Sequence, residues 1–222
     1  MNKNIPHQLT ELRLIPIAVI DDADHAVALA STLRDNGCCA MEVTFRTEAA
    51  LASIARILRE VPGMLVGAST LLTVRELRQA QEAGAAFGVA PGFDPELVAC
   101  ARDSGMLFIP GVSTASEMSQ ALARNCLIQK FFPAEDLGGV RMLQSLMRVF
   151  RHTGVRIVPT GGISAANAAA WLEVPEVIAC GASWICERSL IASSNWDEIG
   201  KRTREALAVV RAAHARCGCA GA

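Results

Sequence analysis

The chain has 222 residues, 51% of them hydrophobic, and a formal net charge of −1. That length and apolar content can bury one large core, so one α/β barrel or two small domains are both within reach. The basic residues are scattered, which excludes a nucleic-acid stripe, and the apolar runs are strand-sized, which excludes a membrane span.

The polar start MNKNIPHQLT (1–10) has no apolar h-region, so a secretory signal is not expected and a cytoplasmic location is. After it, a short apolar run, a turn and an amphipathic segment recur at near-regular intervals. The runs are LIPIAVI (14–20), CAMEVTF (39–45), MLVGAST (64–70), AFGVAPG (86–92), LFIPGV (107–112), LIQKFFP (127–133), RIVPTGG (156–162) and VIACGASW (177–184). They are continuous rather than alternating, as strands covered on both faces should be. DADHAVALASTLRDNG, with Gly37 just past its end as a C-cap, predicts a helix. TEAALASIARILREV predicts another from its helical apolar spacing. Eight such units without a long linker predict an α/β fold, a single (β/α)8 TIM barrel as one domain over 1–222. A doubly wound open sheet is the alternative. The segment 1–12 precedes the barrel, a closing helix runs from about 195 to 217, and a frayed tail follows from about 217.

Active sites of such barrels form at the C-terminal strand ends. Lys130 lies near the end of the sixth run, on the same face as Ile128 and Phe132 by the period of two. It is one of only three lysines among 21 basic side chains. Burial would lower its pKa, and a neutral amine attacks carbonyls. The plainer reading is a structural pair with a barrel carboxylate. Glu42, Thr44 and Arg46 share one side of the second run: Glu42 as proton carrier, Arg46 as a fork for a carboxylate. A buried Glu–Arg or Glu–Lys pair is the competing reading, at a desolvation cost.

The third run ends at Thr70, a weak signal alone. VPTGGIS (158–164) and CGASW (180–184) end the last two runs in glycine turns, with Ser164 expected to open a helix. Two such turns on adjacent strands point to a phosphate cradle. APG (90–92) and PGVS (110–113) fix loops at the mouth or simply punctuate turns. Of the eight cysteines, Cys100, Cys126, Cys180 and Cys186 fall in apolar contexts and read as reduced small hydrophobes. Cys38-Cys39 and Cys217-Gly-Cys219 lack a second pair to complete a metal site. His7, His25, His152 and His214 all avoid the strand ends, so amine chemistry without a metal is expected.

The motifs EVTFRTEAA (42–50), VGAST (66–70), APGF (90–93), IPGVST (109–114), KFFPAE (130–135), PTGGIS (159–164) and GASW (181–184) stand in order along the chain. With them the sequence resembles, from about 10 to 210, the 2-keto-3-deoxy-6-phosphogluconate (KDPG) / 2-keto-4-hydroxyglutarate (KHG) aldolases. The resemblance implies a cofactor-free, homotrimeric class I aldolase of the Entner–Doudoroff type, acting on a phosphorylated 2-keto acid. It implies Lys130 as the Schiff-base lysine and Glu42 as the general acid/base. It implies Arg46 and Thr70 at the pyruvate carboxylate, and Gly161, Gly162, Gly181 and Ser183 at the phosphate. Pro91, Thr160 and Ser183 match positions tied to selectivity. Ser69 departs from the family, which more often has Gly there. A barrel isomerase or epimerase without a covalent adduct, and a non-catalytic sugar-phosphate binder, are the alternatives.

Overall fold

The computed structural model describes residues 5–218, with side chains described through residue 213. Helix α1 (Ile5–Leu12) leads into β1 (Leu14–Ala18), α2 (Asp24–Asp35), β2 (Ala40–Thr44), α3 (Ala50–Glu60), β3 (Leu65–Ser69) and α4 (Val74–Glu82). Then come β4 (Phe87–Val89), α5 (Pro95–Asp103), β5 (Leu107–Ile109), β6 (Gly111–Val112), α6 (Ala115–Leu122) and β7 (Ile128–Phe131). The chain continues through α7 (Gly139–Phe150), β8 (Arg156–Pro159), α8 (Ala168–Leu172), β9 (Cys180–Ala182), α9 (Arg188–Ala192) and α10 (Trp196–Gly218).

Every expected run carries strand, and the helices between start where their side chains dictate. Thr73 and Thr114 each accept a hydrogen bond from the backbone of the glutamate three residues on, and Glu76 and Glu117 reciprocate. Such caps are worth about 1 kcal/mol each. Asp94 caps α5, with Pro95 at the first helical position, where the missing N–H costs nothing. Gly37 ends α2 at φ +93°, as expected of a C-cap.

The strands are parallel and form a curled sheet in two arcs, a six-stranded one ordered β5-β4-β3-β2-β1-β9 and a three-stranded one ordered β6-β7-β8. One continuous eight-stranded ladder was expected; Pro110 interrupts it. The fifth run becomes β5, which pairs with β4, and β6, which pairs with β7. Proline gives no N–H to a ladder, although the Pro110 carbonyl still accepts from Lys130 N at 2.9 Å. At the other junction, Ile157 of β8 bridges Val177, while Cys180 N donates to Arg13 O beside β1.

Two apolar layers follow from the pleat. Ile15, Phe87, Leu107, Ile128 and Val158 form an inner cluster, and Ile5 and Leu9 of α1 belong to it. The segment expected merely to precede the barrel is therefore part of its core. The outer cluster lies between strands and helices and includes Val43, Phe131 and Trp171. Along β7, Ile128 is inner and Phe131 outer, and the Gln129 amide donates to the Met118 and Cys126 carbonyls. Lys130 must then face inward. Among the described residues no helix is long and apolar enough to cross a membrane. Helix α10 extends one residue past the expected end; Cys217, Cys219 and the whole of the expected tail lie outside the residues with described side chains.

Candidate active site

A cavity of about 660 Å³ opens at the C-terminal ends of the strands. Its wall includes Thr44 at the end of β2 and Arg46 beyond it, Ser69 and Thr70 at the end of β3, Pro91 after β4, Lys130 on β7 and Phe132 just past it, Thr160 and Gly161 after β8, and Ser183 after β9. Residues far apart in sequence converge because parallel strands all end on one side.

Lys130 is 6% exposed. Burial lowers its pKa, and the negative field of Glu42 partly opposes this. Its Nζ lies 5.0 Å from the centre of the Phe132 ring, which roofs the amine with an apolar face. Glu42 is 2% exposed and sits below the cavity wall rather than on it. Burial raises its pKa, against the opposing effects of Lys130 and of the nearby Ser69 hydroxyl. The two groups interact through their charges, and among the described residues no ion pair joins them.

Arg46 lies in the turn beyond β2, exposed at the mouth, and makes no ion pair with Glu42. Thr70 adopts φ +61°. A β-branched residue in the left-handed region costs about 1–3 kcal/mol, and such strain clusters at working sites. Glu42 Oε2, Thr44 Oγ1 and Ser69 Oγ are buried with no hydrogen-bond partner among the described residues. A buried group left unpaired costs roughly 1–3 kcal/mol, which a bound polar molecule can recover.

The two mouth loops interlock. A Cβ on Gly111 would lie 2.1 Å from Pro91 O, and Gly111 N donates to Gly92 O at 3.1 Å. So APG and PGVS do more than punctuate turns. Gly161 and Gly162 both have positive φ, +98° and +72°. They let the turn after β8 press onto the segment after Lys130: Ala134 N donates to Thr160 O at 2.8 Å, and a Cβ on Gly162 would lie 2.6 Å from Glu135 Cβ. Glu135 is held in turn by Trp171 Nε1 at 2.6 Å. Gly162 and Gly181 stand behind the wall rather than on it.

One expectation fails here. Ser164 does not open a helix; its N–H donates to Asn167 Oδ1, and α8 begins only at Ala168. Residues 165–167 form a turn that closes on Ser164, whose carbonyl accepts from Asn167 N at 3.3 Å and Ala168 N at 3.0 Å. The cysteine reading is met in part. Cys180 and Cys186 are buried, with the Cys180 thiol pushed up to about 12 by burial, whereas Cys100 and Cys126 are half-buried. The rim also holds a pair that sequence reasoning missed: Arg188, on the wall, donates two hydrogen bonds of 2.6 Å to Asp21. A separation of 167 residues leaves no local signal for it.

A buried amine and a buried carboxyl group at the strand ends of a parallel α/β fold suit imine chemistry on a carbonyl substrate. Comparison with known proteins agrees. The chain belongs to the KDPG and KHG aldolase family, whose model matches residues 5–202. A 2-dehydro-3-deoxy-phosphogluconate aldolase of Haemophilus influenzae is 38% identical over 94% of this chain and 98% of its own. A crystal structure of KDPG aldolase from Legionella pneumophila, with pyruvate captured as a covalent carbinolamine intermediate, matches with a TM-score of 0.86 and 34% identity over 90% of this chain and 96% of that one. The KDPG aldolase of Zymomonas mobilis with 3-phosphoglycerate matches with a TM-score of 0.82 and 36% identity over 91% and 95%.

Proposed function

We propose that this chain is a class I aldolase that cleaves KDPG to pyruvate and glyceraldehyde 3-phosphate through a Schiff base on Lys130. The observation that carries the reading is the Lys130 amine: buried, on the wall of the cavity, and without an ion-pair partner among the described residues. Family membership and the covalent pyruvate adduct of the Legionella relative support it.

The neutral amine attacks the C2 ketone, and loss of water gives a protonated imine. That imine accepts the electron pair of the C3–C4 bond as the C4 hydroxyl loses its proton. Glyceraldehyde 3-phosphate leaves, and an enamine remains. Protonation at C3 and hydrolysis release pyruvate and restore Lys130. Glu42 carries the protons, being the carboxyl group whose field reaches the amine. Arg46 and Thr70 hold the carboxylate of the pyruvate half. Gly161, Gly162, Gly181 and Ser183 form the phosphate end, and Pro91, Thr160 and Ser183 set selectivity. Phosphate recognition draws support from the Zymomonas relative with 3-phosphoglycerate.

The same pocket takes KHG, yielding pyruvate and glyoxylate, in keeping with the description of the matched family. The two arcs form one closed (β/α)8 barrel and one domain; the Ile157–Val177 bridge and the Pro110 carbonyl bond to Lys130 support closure at both junctions. A homotrimer follows from the family resemblance. A cytoplasmic location accords with the free thiols of the six described cysteines.

Pyruvate release from KDPG and from KHG tests the assignment. Lys130→Ala should release none, and Glu42→Gln should be slower by roughly 10²–10⁴-fold. Near-normal rates in both variants would refute it.

A further inference from the structure

Strand register fixes the neighbours of Glu42. On β1 it stands opposite Ile17, and on β3 opposite Gly67. Gly67 offers no side chain, and the Phe87 ring fills the space beside it, since a Cβ there would lie 2.3 Å from ring carbons. Around these positions the carboxyl group has apolar company. Two residues on, the register sets Thr44 beside Ser69. Ser69 is 1% exposed, lines the cavity, and its Oγ has no partner among the described residues. Glu42 Oε2 is likewise unpartnered. A buried donor and a buried acceptor, each unsatisfied, thus sit on adjacent strands beside the reacting amine.

We infer that Ser69 is a positioning residue for Glu42: its hydroxyl donates to the Glu42 carboxylate and holds it turned toward the adduct on Lys130. This rests on the aldolase reading. Thr44 is the other hydroxyl nearby, but Ser69 is the one close enough to favour the ionised form of Glu42. Lys130, from β7, is the titratable group facing Glu42; β1 presents Ile17 and β3 presents Gly67 and Ser69, with Arg46 in the turn above. A hydrogen bond to a carboxylate lowers its pKa. Removing the donor raises that pKa, leaves less carboxylate at a given pH, and moves the acid limb of kcat/KM to higher pH.

Ser69→Ala and Ser69→Gly both delete the donor but differ in volume. Pyruvate release across pH, with borohydride trapping of pyruvate alongside, provides the test. Both variants should lose about tenfold in kcat at neutral pH with little change in KM, and both acid limbs should move up together. Trapping at Lys130 should persist. Acid limbs that stay at the wild-type position, or that move in one variant alone, would overturn the role. Should one variant not fold, the other gives the same readout. A wild-type enzyme that fails to trap pyruvate overturns the aldolase reading itself; one that traps it while the variants keep its acid limb overturns only the assignment of Ser69.

Discussion

Gly181 and Thr160 touch as closely as a glycine permits: a Cβ at 181 would lie 2.4 Å from Thr160 Oγ1 and 2.9 Å from Ile17 Cδ1. The glycine of GASW therefore keeps Thr160 in place on the cavity wall, from one strand away.

Gly181→Ala should displace Thr160 toward the cavity. Overpacking of this kind costs about 1–3 kcal/mol, so the melting temperature should fall. KM for KDPG should rise while pyruvate trapping at Lys130 stays. Substrate kinetics beside a trapping assay separate the two effects.

Lys130 is destabilising as well as reactive. Its pKa is lowered by burial from an ordinary 10.5, so below that value the unfolded chain binds more protons than the folded one at this site. Wild-type stability at this group therefore rises with pH. Lys130→Met should melt higher than wild type at neutral pH, with the gap closing as pH approaches 10.5, and should be inactive. Thermal melts across pH check this; a variant that melts lower at neutral pH would contradict a buried, desolvated amine.

Among the described residues Arg46 has no ion-pair partner, and it lines the cavity mouth. Arg46→Lys keeps the charge and loses the two-pronged fork. A hydrogen bond to a charged group is worth about 1.5–3 kcal/mol, so kcat/KM should fall roughly tenfold or more, mainly through KM. Steady-state kinetics with KDPG measure it.

Leu9 fixes α1 to the inner cluster. Leu9→Ala should cost about 2–5 kcal/mol of stability. Because the cavity lies at the opposite strand ends, kcat of the folded fraction should hold. Denaturant titration and activity per folded enzyme test both halves.

The strand positions were legible because buried parallel strands write continuous Val, Ile and Phe runs. Lys130 and Glu42 stood out because charge inside such runs is costly. What was hidden depended on contacts between distant segments. The spacing of Ile5, Leu9 and Leu12 offers a helical apolar stripe, but only the fold shows that Ile5 and Leu9 join Ile15 and Phe87 in the inner cluster. Pro110 reads as strand by its neighbours, yet its ring divides two ladders. Ser164 follows a Gly-Gly turn as a helix cap would, yet α8 begins only at Ala168. Thr70 carries no sequence sign of its left-handed backbone, and Asp21 none of Arg188.

Everything in the catalytic account depends on carbon bonding to the nitrogen at position 130. The direct measurement is to incubate the protein with pyruvate and sodium borohydride, digest it, and locate the modification by mass spectrometry. One reduced pyruvate on the Lys130 peptide, with loss of activity in step, is the expected result. An unmodified Lys130 in a fully active, pyruvate-exposed and reduced enzyme would contradict it.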